Sequence, residues 1–338
     1  MSKLPEWGHD DLPEPPPFSV RNMFRIVGPG AILLAGSIGG GEWLIGPSLA
    51  VKHGLNLMWI ATLGIVLQLM FNLEAIRYTL YTGEPILSGI MRLRPGAKFW
   101  ATVYVTLTIA QLGVPALAKG SAAVLFALLY HRAPESVPAD QDMVLYMTYG
   151  VMLFAVLLLM FGGTIERMLE RASWGMIAYI FVFLLYVNIR YVPASHWVET
   201  FSGFFQFGRF PAGFFEADVV GAGSKWMLVA ALAATAGSGG IGNLAITNWI
   251  RDKGFGMGGK VGAIPSAFGS RQIQLSHVGK VFPVNATNLA RWRTWWKYIA
   301  VDQVWLWGLG CFVGMFLNVN LATTIIPATA DMTGPAAG

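Results

Sequence analysis

Several stretches of this chain run for 18 residues or more without a charged side chain. Residues 99–118, 143–164, 172–189 and 226–250 contain no Asp, Glu, Lys or Arg over 20, 22, 18 and 25 positions. About 18 to 20 such residues, wound at ~1.5 Å per residue, cross the hydrocarbon of a bilayer. Composition agrees: charged residues are 12% of 338 positions and hydrophobic ones 55%, with a mean hydropathy of +0.55. A soluble domain carries about 25% charge, so too little is present here to cover a wet surface. The chain reads as an all-α integral membrane protein with seven spans, at 24–52, 55–80, 99–130, 143–162, 172–191, 226–250 and 297–319.

The distribution of positive charge orients these spans. With the N-terminus in the cytoplasm, 17 of the 23 Lys and Arg fall on that side, five fall opposite, and Lys119 lies inside the third span. Cytoplasmic loops carry such an excess. The expectation is a multi-pass protein of a bacterial-type inner or plasma membrane, N-terminus inside. Residues 1–22, with Pro13, Pro15, Pro16 and Pro17, lack the apolar core of a signal peptide and read as a disordered cytoplasmic tail. Residues 23–191 hold the first five helices, 192–225 an external loop, 226–250 the sixth helix, and 251–296 a basic cytoplasmic loop. Residues 297–338 hold the seventh helix and the start of the next external loop. The 251–296 loop has seven Lys and Arg against one acid, Asp252. Positive-inside bias explains it, as would contact with anionic lipid headgroups; neither reading needs nucleic acid. Trp100, Trp226, Trp249, Trp295 and Trp296 fall at helix ends, where interfacial anchors belong.

Two spans are interrupted by glycine. The first contains Gly28-Pro29-Gly30 and then Gly39-Gly40-Gly41-Glu42; the sixth contains Gly237, Gly239, Gly240 and Gly242 before Asn243. Glycine weakens a helix and lets the backbone unwind. Unwound backbone at membrane depth survives only where protein or a wet cavity serves its polar groups. Gly39 lies roughly 20 Å along its helix from Phe24, as Gly239 does from Trp226, which puts both interruptions near mid-bilayer. Breaks in spans one and six are what an inverted-repeat secondary transporter requires, with substrate held between discontinuous helices. Close helix packing through small residues is the alternative use of such glycines.

At these residues the chain resembles the Nramp family of divalent-metal transporters, which have the LeuT-type fold. Gly28-Pro29-Gly30 is similar to the family's opening of the first helix. Asn72, thirteen residues after Trp59, stands where the family usually has Gln. Arg77, Thr82-Gly83, the Glu166/Arg167/Glu170 cluster and Asp302 also fit, and the likeness runs from Arg21 to Leu321. It implies a LeuT-type inverted-repeat bundle, with 23–191 as the first five-helix repeat. A chain of that type continues to ten or more spans. A stop after the seventh therefore implies a fragment of a longer chain, or a second chain carrying the missing helices. The motif itself departs from the family. Gly39 stands at the metal-binding Asp and Glu42 at the Asn of the first helix. Gly240-Ile241-Gly242-Asn243-Leu244 replaces Met-Pro-His-Asn-Leu in the sixth, and Thr247 stands at the family's second His. Ala116 and Lys119 stand at the two acids used for proton transfer.

The expected substrate site is therefore Gly39, Gly40, Gly41, Glu42, Gly239, Gly240 and Asn243, with Glu42 as the metal ligand. With the thioether gone, the donors are hard oxygens, which suit Mg²⁺, Ca²⁺ or Mn²⁺, and a largely hydrated ion above all. Lys119 could pair with Glu42, carry the coupled proton, or snorkel to an interface. Lys119 and Asp302 are the coupling candidates, with a proton as coupling ion; Asp302 could pair with Lys297 or Arg293 near the cytoplasmic end or, equally, line an exit path. Glu74 and Arg77, three apart, read as a local ion pair. A second chemistry also fits: glycine-rich half-helix N-termini attract anions, so a small organic solute such as an amino acid or carboxylate is the alternative cargo. A membrane sensor that binds without transporting is the third reading. One cysteine forbids an intrachain disulfide, and no enzymatic motif or resident cofactor site is visible. The expected partners are lipid and a small cation or solute.

Overall fold

The computed structural model describes residues 4–38, 41–112, 116–160, 165–216, 224–264, 276 and 278–329. Among the described residues the architecture is all-α, apart from one two-residue parallel ladder between β1 (Gly8–His9) and β2 (Lys280–Val281). Four helical segments are long and apolar enough to cross a membrane: Leu55–Thr82, Pro138–Leu158, Ile165–Tyr191 and Ala286–Ile325. They match four of the seven expected spans.

The other three are divided. The first comprises α1 (Val20–Ile26), α2 (Pro29–Ser37), a π-helical turn (Gly41–Ile45) and α3 (Gly46–His53). The second is α4 (Trp59–Thr82), ended by Gly83 at φ +71, a left-handed cap that glycine adopts without strain. A short α5 (Ile86–Met91) follows. The third span appears as α6 (Ala97–Leu112) and α7 (Ala116–Tyr130), with 113–115 outside the described residues. Then come α8 (Pro138–Met160), α9 (Ile165–Tyr191) and α10 (Ala194–Gly203). The sixth span is α11 (Lys225–Thr235) and α12 (Ile241–Asp252).

The seventh is longer than expected. Helix α13 (Ala286–Ala300), a π-helical stretch (Val301–Gly308) and α14 (Leu309–Ile325) run on as one 40-residue rod. The expected loop end, 286–296, is thus helical, capped by the Asn285 side chain accepting from the Asn288 amide. At ~1.5 Å per residue the rod is about 60 Å long, twice the hydrocarbon thickness.

Burial separates inner from outer helices. Helix α2 sits at the centre, packed on α9, α12 and the π-helical stretch; α4 packs on α11 and α12. Leu33, Leu34, Ile76, Leu232, Ile246 and Trp307 fill the space between them. By contrast, only 11% of the apolar window of α8 is buried, against 56% for the rod. Tyr146, Leu153 and Phe154 point outward from α8. An apolar outer surface of this kind is made for lipid rather than water.

The N-terminal segment is not the free tail that its composition implied. Residues 5–19 form a strap along the helix ends. Leu12 is fully buried, its amide donating to Asn288 Oδ1 (3.2 Å) and its carbonyl accepting from Arg291 (2.8 Å). Trp295 Nε1 donates to Pro13 O (2.9 Å) and Tyr298 Oη to Pro17 O (2.9 Å). Extended proline-rich backbone makes no internal hydrogen bonds, so its carbonyls are available to such donors. Asp10 bridges Lys260 and Lys280 at 3.1 and 3.2 Å, and these two ammoniums hold its carboxyl below the usual range.

Candidate functional site

The site is built where the sixth span breaks. Helix α11 stops at Thr235 and α12 starts at Ile241. Between them Gly237, Gly239 and Gly240 take φ of +103, +59 and +54, a region other residues adopt only with strain. The glycine cluster therefore does what its composition implied. Breaking a helix strands amides and carbonyls on both sides. Here a single side chain from α4 serves both. Gln68 Nε2 donates to Ala236 O at 2.8 Å, and Gln68 Oε1 accepts from the Gly239 amide at 2.9 Å. The same oxygen accepts from Asn243 Nδ2 at 3.0 Å. Asn243 is buried in the first turn of α12, and its Oδ1 has no partner among the described residues.

Helix α4 can approach this closely because residue 64 is glycine. A Cβ there would lie 2.5 Å from Ala233 O, so α11 and α4 meet backbone to backbone. Gly64→Ala is expected to cost about 1–3 kcal/mol by forcing the crossing apart. A thermal melt of the variant in detergent checks this; an unchanged melt would mean the crossing is loose.

The end of α2 in the first span lies beside this break. Ser37, the last residue of α2, shares a hydrogen bond with Ser238 (Oγ–Oγ 2.5 Å). The Trp307 indole donates to both hydroxyls at 3.2 Å. Leu33 O lies 2.8 Å from Ser37 Oγ and 3.3 Å from Ser238 Oγ, so one hydroxyl donates to this carbonyl while the other donates to its neighbouring serine. Two interruptions about 200 positions apart in sequence thus meet at one polar node, with the seventh span's buried Trp307 as its third member.

Asp302 sits at the other end of α2, fully buried. Its Oδ1 accepts from the Gly28 amide (2.8 Å) and its Oδ2 from the Gly30 amide (2.7 Å). Pro29 between them has no N–H to satisfy. Gly30 must lack a side chain, because a Cβ would strike the Asp302 backbone and carboxyl. Gln303 donates to Asp302 Oδ2 (2.8 Å) and accepts from Asn72 (3.3 Å), extending the chain of polar groups to α4. Neither expected partner is used: Asp302 is taken up by these amides, and the Lys297 ammonium sits over the Phe18 ring at 5.7 Å. A carboxylate in a fully buried place draws donors from the nearest helix N-terminus, where amides are free and the dipole is favourable.

The remaining expected residues fall as follows. Gly239, Gly240 and Asn243 are together at the second break. Gly39 and Gly40 lie outside the described residues. Gly41 and Glu42 lie in the π-helical turn, and the Glu42 side chain, with its expected metal ligation and pairing to Lys119, is outside the described residues too. Lys119 is exposed on α7, which packs on α8. Glu74 and Arg77 form the expected local pair at 3.1 Å; both are exposed, so it contributes little. Glu170, from the cluster entering the fifth span, pairs with Lys253 at 2.6 Å.

Gln68, Ser37, Ser238 and Trp307 were missed from sequence. A signal exists for Gln68: it and Asn72 are two amides one turn apart within the uncharged stretch 53–73. The hydroxyls and the indole gave none, because isolated Ser and Trp are ordinary in spanning helices.

Two openings flank Gly240. One of about 220 Å³ is lined by Gly64, Gln68, Ala233 and Ala234. The other, about 750 Å³ and apolar, is lined by Phe71, Ile86, Tyr104, Leu107 and Leu244. Among the described residues no group of three or more His, Cys, Asp or Glu converges. The oxygens presented at the breaks are those of amides, hydroxyls and backbone carbonyls, which suit a cation that keeps part of its water. Comparison with models of known protein families and with curated proteins finds no match.

Proposed function

We propose that this chain is a secondary transporter of an inorganic cation, with a divalent ion as cargo. The observation that carries this reading is the meeting of two broken helices at Ser37 and Ser238, beside a buried Asn243 oxygen that has no protein partner among the described residues. Discontinuous helices that meet at membrane depth are how transporters of the inverted-repeat type hold cargo. The Nramp resemblance supports the same reading, with the N-terminus and its strap on the cytoplasmic side. In this account α2 and α12 are the half-helices that move. Asp302, anchoring the N-terminus of α2, is placed to link proton uptake to that movement, and Glu42 completes the cation site. The chain performs no catalysis in this reading.

The apolar 750 Å³ opening beside Gly240 favours the second reading, an organic solute whose hydrocarbon part would fill it. A thermal-shift panel on the purified protein separates the two. A ligand that binds only the folded state stabilises it by about 2.7 kcal/mol at a hundredfold excess over Kd. Mg²⁺ or Mn²⁺ is expected to raise the melting temperature, while carboxylates and amino acids leave it unchanged. A shift with organic solutes alone would replace the cation reading with the second. No shift with any ligand would count against both.

A further inference from the structure

We infer that Gln68 is a positioning residue that decides which end of the Asn243 amide faces the cargo. The inference rests on the transport reading and sharpens it, because it makes the site one for cations.

The argument starts from backbone groups whose roles are fixed. A backbone N–H can only donate and a backbone C=O can only accept. Gln68 lies between one of each, the Gly239 amide at 2.9 Å and the Ala236 carbonyl at 2.8 Å. Its own amide can therefore point only one way, oxygen toward Gly239 and nitrogen toward Ala236. That oxygen also faces Asn243 and can be met there only by a donor. Asn243 accordingly turns its Nδ2 to Gln68 at 3.0 Å and its Oδ1 away. The flipped amide would set two carbonyl oxygens against each other in a buried place. Orientation thus passes from backbone to Gln68 and from Gln68 to Asn243.

The consequence is a choice of charge. Asn243 is 3% exposed, and its Oδ1 finds no donor among the described residues. A buried acceptor left without a donor is unfavourable, so the place is completed by a cation or by the water shell of one. An anion would face that oxygen directly. It would also find the Gly239 amide, just ahead of the α12 cap residue Gly240, already bonded to Gln68. On the side of the break that Asn243 Oδ1 faces, a carboxylate is in this way disfavoured.

The test is Mn²⁺ binding by calorimetry on the purified protein, in two backgrounds. Gln68→Met keeps the length of the side chain and loses both polar ends. In the natural background it is expected to weaken Mn²⁺ binding about tenfold, the worth of one well-placed polar contact. In the Asn243→Asp background no amide is left to orient, and the Gln68 oxygen faces a carboxylate oxygen instead of a donor. There Gln68→Met is expected to leave Mn²⁺ binding unchanged or strengthen it. A role in propping the helix break alone would give the same loss in both backgrounds, and that result overturns the inference. The double variant Asn243→Asp/Gln68→Met guards against misfolding, because it carries the same loss of both Gln68 bonds at the break. Mn²⁺ binding by it shows that the fold survives; its failure to bind while Asn243→Asp alone binds would overturn the inference. If no form binds Mn²⁺, the cation reading falls and takes this inference with it. Binding with equal losses removes the inference alone.

Discussion

Asp302→Leu is expected to lower the melting temperature of the protein by on the order of 10 °C and to unseat α2. The carboxylate meets three donors in a fully buried place, the amides of Gly28 and Gly30 and the Gln303 side chain. Each buried donor left without a partner costs about 1–3 kcal/mol, so the combined loss is about 3–5 kcal/mol. Asp302→Asn is expected to cost nearly as much. Two backbone amides each need an acceptor, and a carboxamide offers one oxygen and turns an NH₂ toward the other. Thermal unfolding in detergent reads both effects. An Asp302→Leu protein that melts within a degree or two of the natural one would show that α2 is held by packing alone.

Glu84→Ala is expected to release the N-terminal strap. Glu84, just past the end of α4, is buried and accepts from Arg92 (2.5 and 3.1 Å), Tyr78 Oη (2.8 Å), the Gly279 amide (3.0 Å) and Trp7 Nε1 (3.1 Å). The strap, the α4–α5 turn and the start of β2 thus converge on one carboxylate. Removing one partner of a buried ion pair costs about 3–5 kcal/mol, because the other is left uncompensated. Amide hydrogen exchange at residues 8–13 should become markedly faster in the variant. The pH dependence has a definite sign. Burial pushes the Glu84 carboxyl up, but the bonds from Arg92, Gly279, Trp7 and Tyr78 outweigh it and hold the pKa below the ordinary 4.5. A depressed pKa stabilises the fold above the unfolded value and loses that contribution as pH falls through the folded one. The strap should therefore stay docked down to about pH 4.5 and loosen below it. Glu84→Gln should lack this acid step; strap exchange in the natural protein that does not change below pH 4.5 would remove Glu84 as its anchor.

What could be read from the sequence follows from how each feature is encoded. Apolar runs and glycine clusters are local, and they locate four of the seven expected spans and the break at 236–240. The strap was misread because Pro13 to Pro17 look like a solvated tail by composition alone. Its order comes from hydrogen-bond partners 270 or more positions away, on Asn288, Arg291, Trp295 and Tyr298. Asp302 was recognised as an unusual acid in a span, yet its partners were expected to be cations. Nothing local indicates that a carboxylate will be met by the amides of Gly28 and Gly30. Gln68 shows the same limit from the other side. Its importance lies in serving a break that it does not itself contain, and only the approach of α4 over Gly64 makes that visible.

If the end of α2 and the break in the sixth span form one cation site that carries its cargo across the bilayer, vesicles reconstituted with the purified protein take up Mn²⁺. Saturable uptake by the natural protein is expected, and its loss in Asn243→Leu at equal reconstitution. No uptake above protein-free vesicles, or equal uptake by both proteins, would contradict it.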